Sequence, residues 1–65
     1  MPEVYVHAIT GRSIEQKRAL VREITDAVVR HFHVPVEAVL VEILENGREN
    51  KAKGGFLFAD RPPPR

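Results

Sequence analysis

The chain contains no cysteine and no tryptophan. The missing cysteine excludes disulfide stapling and any thiolate zinc site, two of the usual supports for a domain as short as 65 residues. Long apolar runs are missing too: the longest stretches are a few residues, far short of the roughly 20 that a membrane-spanning helix needs. Nor is there an excess of one charge. Ten Lys and Arg stand against nine Asp and Glu, a formal charge of +1, so no net field draws the chain to nucleic acid or to a membrane. No basic-then-apolar leader opens the sequence, and a cytoplasmic protein is expected. A domain of this size buries only about 60% of the surface its unfolded chain exposes. With disulfides and thiolate zinc excluded, oligomerisation is the expected source of the missing stability.

What is present has a clear order. From Glu3 to Ile9, Val4, Val6 and Ala8 alternate with Glu3, Tyr5, His7 and Ile9, the period-two pattern of a strand with one buried face. Thr10, Gly11 and Arg12 break it. Ser13-Ile14-Glu15-Gln16 then reads as a capping box, with Ser13 accepting from a first-turn amide and Gln16 reaching back to the Ser13 backbone. The helix it opens carries an apolar stripe of the Lys17 stem, Leu20, Val21, Ile24, Ala27, Val28 and Phe32 opposite a charged face. Phe32 ends that stripe and is expected in the core. Pro35 pushes its predecessor away from helical dihedrals, so the helix should stop near Phe32 or His33, after about five turns.

Val39 to Leu44 reads as a second strand. A helix this long between two strands implies a right-handed parallel crossover. Glu45 to Lys53 is polar, holds Gly47 and Asn50, and reads as a loop. Gly54-Gly55 opens a short apolar segment, Phe56-Leu57-Phe58, expected to pair at a sheet edge and to seal a subunit contact with Phe56 and Phe58 on one face. Residues 1–60 are expected to form one domain. The proline-rich end, Asp60 to Arg65, is expected to be a mobile or polyproline-like tail over residues 61–65.

Pro2, directly behind Met1, is the candidate reactive residue. Removal of Met1 would turn it into a free secondary amine at the head of a strand, a titratable base where proline otherwise has none. Other candidates read as structural. His31 and His33 lie two apart on a helix and do not face each other, so no metal site is expected. Arg48, Lys51 and Lys53 lack the interleaved aromatics of a nucleic-acid platform, and the tail lacks the P-x-x-P spacing of an SH3 ligand.

Pro2 heading its strand, the Gly11-Arg12-Ser13 turn, the Glu15-Gln16-Lys17 helix opening and the Gly54-Gly55 pair together resemble the 4-oxalocrotonate tautomerase family, in one ungapped stretch from Pro2 to about Asp60. The resemblance implies an α/β (α+β) fold: a β-α-β subunit with a short C-terminal β segment, which dimerises into a four-stranded sheet with two helices. It further implies a homo-oligomer, with a hexamer built as a trimer of dimers. The implied chemistry is cofactor-independent keto-enol tautomerisation of a small carboxylate substrate, a 2-hydroxy-dienoate or pyruvoyl acid. Pro2 would be the general base, its nitrogen kept neutral near pH 7 where burial and nearby cations disfavour the ammonium form. Arg12 matches the arginine that binds a substrate carboxylate, a task suited to the planar two-pronged guanidinium. In the family these two residues come from different subunits.

Two positions depart from the resemblance. Leu40 stands where well-known members carry a second arginine, and Lys51 stands where they carry a pocket aromatic. A dicarboxylate entering a pocket with one fixed cation leaves a carboxylate unpaired, so a monocarboxylate is expected. Lys51 is a candidate source of the missing charge, with Arg48 or Lys53 as alternatives, and Ile9 is expected to supply apolar wall. Ile9, Leu40 and Lys51 are thus the expected substrate-binding residues beside Pro2 and Arg12. The alternatives are a hydratase- or dehalogenase-type relative that activates water with a further carboxylate, for which Glu49 is near the right region, and a non-catalytic small-acid binder in which Met1 stays.

Overall fold

A computed structural model describes residues 1–61; residues 62–65 of the expected tail lie outside that range. The elements run β1 (Glu3–Ile9), α1 (Ile14–Phe32), β2 (Leu40–Asn46), β3 (Ala52–Lys53) and β4 (Phe56–Leu57), with single 3-10 turns at Val36–Ala38, Arg48–Asn50 and Phe58–Asp60. β1 and β2 pair in parallel from Glu3 opposite Leu40 to Ile9 opposite Asn46. α1 is the crossover between them, so the β-α-β unit is present as the alternation predicts.

The capping box holds α1 in place. Gln16 N donates to Ser13 Oγ at 3.1 Å, and Ser13 N donates to Gln16 Oε1 at 2.8 Å, so two of the amides orphaned at a helix start are satisfied. At the other end His33 adopts φ 56°, and its N–H bonds Val29 O at 3.0 Å. A left-handed residue closing a helix is usually glycine; His33 is thereby a C-cap, consistent with the structural reading of this histidine.

The second strand begins later than the pattern predicts, at Leu40 rather than Val39, and runs on to Asn46. Val39 is held back because its N–H closes the 3-10 turn onto Val36 O at 3.2 Å. Glu45 and Asn46 stay in the sheet because β1 is seven residues long and Ala8 and Ile9 supply their partners. The rest of the expected loop also has structure. It contains the Arg48–Asn50 turn and β3, and β3 pairs antiparallel with β4 in a separate two-stranded sheet. Gly54 and Gly55 make the two-residue connection with φ +63° and +86°, positive at both positions as the tightest hairpin turn demands.

No described residue is buried. α1 lays Val21, Ile24, Ala27 and Val28 against the sheet, all half-buried, but two strands spaced about 4.8 Å apart make too narrow a floor for a helix. Phe32, expected in the core, is 66% exposed. A 19-residue helix runs about 28 Å against about 23 Å for a seven-residue strand, so its last turn overhangs the sheet. Phe56 is equally exposed, whereas Phe58 leaves the strand for the third 3-10 turn and lies under the Arg61 guanidinium, 5.3 Å from the ring centroid. The two therefore do not share a strand face. Asp60 and Arg61, assigned to a mobile tail on sequence, are tied in: Asp60 is the last residue of that turn, Arg61 N–H closes it onto Phe58 O at 3.1 Å, and Arg61 Nη2 donates to Lys53 O at 2.7 Å.

Candidate functional site

The parallel register sorts the candidate residues by sheet face and by sheet end. Val4, Val6 and Ala8 with Val41, Ile43 and Glu45 look toward α1, while Glu3, Tyr5, His7 and Ile9 with Leu40, Glu42, Leu44 and Asn46 form the opposite face. At one end Pro2 is half-buried, and its carbonyl accepts from Leu40 N at 3.0 Å. Sheet pairing thus brings Pro2 and Leu40 together. Met1, ahead of them, is 81% exposed.

At the other end lie Ile9 and Arg12. Arg12 Nη1 donates to Ile9 O at 3.4 Å, a long contact with little directional strength, and the side chain is exposed. Arg12 also rims a cleft of about 80 Å³ between α1 and the sheet, floored by Val6, Ala8, Leu20 and Ile43. The length of β1 separates this end from Pro2 by about 20 Å. Lys51 follows the Arg48–Asn50 turn, is half-buried, and its carbonyl accepts from Phe58 N at 2.8 Å. Glu49 is exposed, and its carboxylate occupies the space that a Cβ on Gly47 would fill.

Two charged contacts escaped the sequence reading. Lys17 Nζ meets Glu45 Oε1 at 2.6 Å, pinning the first turns of α1, next to Arg12, onto the end of β2. Both groups are about a quarter exposed, and such a pair contributes about 0.2–1 kcal/mol. The signal was the alternation Val41, Ile43, Glu45, which carries Glu45 onto the helix-facing side once the strand is allowed its full length. The second contact is the Arg48 side chain, which donates through Nη2 to Phe58 O and, at 2.9 Å, to Arg61 O. No sequence pattern announces it.

On the outer face the Tyr5 hydroxyl donates to Glu3 Oε1. This hydrogen bond first, then the Glu3 charge, slight desolvation and the Glu42 charge raise the phenol above its ordinary value of about 10. A raised folded value means that the contact stabilises the fold at every pH below about 10 and is lost as pH climbs through the folded value. Tyr5 is the single tyrosine, so phenolate absorbance reports it alone. The alkaline midpoint should lie above 10, and Glu3→Gln should bring it down; an unchanged midpoint in the variant would contradict the contact.

Among the described residues no group of three or more His, Cys, Asp or Glu is arranged to hold a metal ion, and no helix is long and apolar enough to cross a membrane. The family model described as tautomerase enzyme matches residues 2–61. A 2-hydroxymuconate tautomerase of Pseudomonas putida is 39% identical over 57 residues, covering 88% of this chain and 90% of the relative. Among solved structures, a 4-oxalocrotonate tautomerase homologue superimposes with a TM-score of 0.90 at 38% identity, over 97% of this chain and 100% of its own. A heterohexameric 4-oxalocrotonate tautomerase from Chloroflexus aurantiacus superimposes with a TM-score of 0.85 at 31% identity, over 95% and 100%.

Proposed function

The chain belongs to the tautomerase family and is an isomerase by class, and on that premise we propose that it shifts a proton within a small 2-hydroxy or 2-oxo monocarboxylate, with the Pro2 amine as general base. The observation that carries this reading is the position of Pro2: second in the chain, behind an exposed Met1, and fixed to β2 through its own carbonyl. Once Met1 is removed, the neutral amine takes the proton of the enol hydroxyl, the double bonds shift, and the resulting ammonium returns a proton to carbon. The atoms balance within the substrate, so the reaction draws on no redox partner and no cofactor. Arg12 holds the substrate carboxylate and steadies the negative charge that passes through the enolate. Ile9 and Leu40 supply apolar wall, and Lys51 joins Arg12 on the same single carboxylate, which leaves no fixed cation at the Leu40 end for a second one.

About 20 Å of strand between Pro2 and the Ile9–Arg12 end is too far for one small acid to touch both. This separation supports an active unit that is a homo-oligomer; in this reading it is a hexamer built as a trimer of dimers in the cytoplasm, as the family resemblance implies, with residues 1–60 as the folded domain of each subunit. The absence of any buried residue among the described residues supports association of subunits.

The charge argument is tested by turnover of 2-hydroxymuconate, a dicarboxylate, beside phenylenolpyruvate, a monocarboxylate. The native chain should favour phenylenolpyruvate. Leu40→Arg should raise kcat/KM for 2-hydroxymuconate by about tenfold or more, the size of one charge-assisted hydrogen bond, and leave phenylenolpyruvate within about threefold. Preference of the native chain for the dianion would refute the monocarboxylate assignment.

A further inference from the structure

The short C-terminal hairpin is held by an arginine. β3 and β4 contribute two residues each, and a two-stranded hairpin alone is marginal in water even at greater length. The Arg48 guanidinium reaches out of the preceding turn and donates to the carbonyls of Phe58 and Arg61. Arg61 in turn donates to Lys53 O at 2.7 Å and covers the Phe58 ring. Phe58 closes the circuit, because its own N–H donates to Lys51 O at 2.8 Å. Phe58 is thus gripped on its carbonyl by Arg48 and on its amide by Lys51, and the backbone of Lys51 is fixed through one shared residue.

We infer that Arg48 is a positioning residue: its two-carbonyl clamp on Phe58 and Arg61 sets the backbone from which Lys51 presents its ammonium to the substrate carboxylate. The inference rests on the placement of Lys51 in the substrate site proposed above. Reach and rigidity matter as well as the charge. Both bonds leave one nitrogen, Nη2, which lies one bond farther from the backbone than a lysine ammonium and is held in the guanidinium plane rather than on a flexible stem, so Arg48→Lys keeps the charge and loses the clamp.

The test is a double-mutant cycle on the oligomer with phenylenolpyruvate, together with amide hydrogen exchange. Lys51→Ala is expected to lower kcat/KM about tenfold, chiefly through KM, as loss of ground-state and transition-state attraction alike predicts. Arg48→Lys is expected to lower it about fivefold, also through KM, and to cost less than about twofold once Lys51 is already alanine. The Phe58 amide should exchange at least about tenfold faster in Arg48→Lys while β1 amides keep their protection. An Arg48→Lys loss that persists in full in the Lys51→Ala background, no loss in the native background, or unchanged Phe58 exchange overturns the positioning role while leaving Lys51 in the site. An unaffected kcat/KM in Lys51→Ala alone removes Lys51 from the site, and the role of Arg48 falls with it; that arm separates the two failures.

Discussion

A chain that keeps Met1 should lose about 10²- to 10⁴-fold in kcat/KM relative to the processed chain, the range that a positioned acid or base contributes. With Met1 attached, the Pro2 nitrogen is a tertiary amide whose lone pair is delocalised into the carbonyl, and it cannot take up a proton near neutral pH. The fold should not change. Pro2 enters the sheet through its carbonyl, which accepts from Leu40 N at 3.0 Å, and that bond is the same whether or not a residue precedes it. Intact mass distinguishes the two forms, and their melting temperatures should agree within about 2 °C, because one exposed terminal residue adds little burial. Pro2→Ala, also processed, would keep an amine but lose the ring that makes it secondary and fixes the orientation of the nitrogen, and should fall between the two. Equal rates from the Met1-bearing and processed chains would end the amine mechanism.

Much of this architecture was legible because local signals agreed with one another. The alternation in β1, the Ser13–Gln16 capping box and the stop before Pro35 each fix one boundary, and all three hold. The family resemblance, carried by Pro2, Arg12 and the glycine pair, agrees with the tautomerase match over residues 2–61. What misled lay where nonlocal partners decide. Glu45 and Asn46 look like loop residues until the length of β1 gives them partners. Phe32 looks like core because helical spacing places it on the apolar stripe, yet the end of the sheet, a property of the other element, leaves it uncovered. Arg48 looked like a free loop cation because its acceptors are the carbonyls of Phe58 and Arg61, and backbone carbonyls leave no trace in a side-chain pattern.

Exposure of Phe32, Phe56 and Tyr5 on one small chain fits the same physical account as the division of the site. Each is a large apolar surface that a lone subunit leaves in water, and covering such surface stabilises by about 25 cal/mol per Å². In the assembly proposed above, the contacts that cover it also bring one subunit's Pro2 end toward another's Arg12 end. Stability and site formation then depend on the same contacts, so weakening an exposed aromatic should reduce both together.

Arg12→Ala should cost about 10²-fold in kcat/KM, since it removes a bidentate charge-assisted contact to a carboxylate that becomes more strongly held as charge develops. The folded structure should tolerate the change: Arg12 is exposed and makes one long hydrogen bond, to Ile9 O at 3.4 Å. The informative experiment mixes two inactive proteins. If a working site takes Pro2 from one subunit and Arg12 from another, unfolding Arg12→Ala together with Met1-bearing chains in equal amounts and refolding them should restore activity. Random assembly places both intact residues together in about one quarter of the sites, so the mixture should recover roughly that fraction of native activity. The distance along β1 makes the alternative equally definite. Were Pro2 and Arg12 of one chain to serve one site, every site in the mixture would lack one or the other, and mixing would restore nothing.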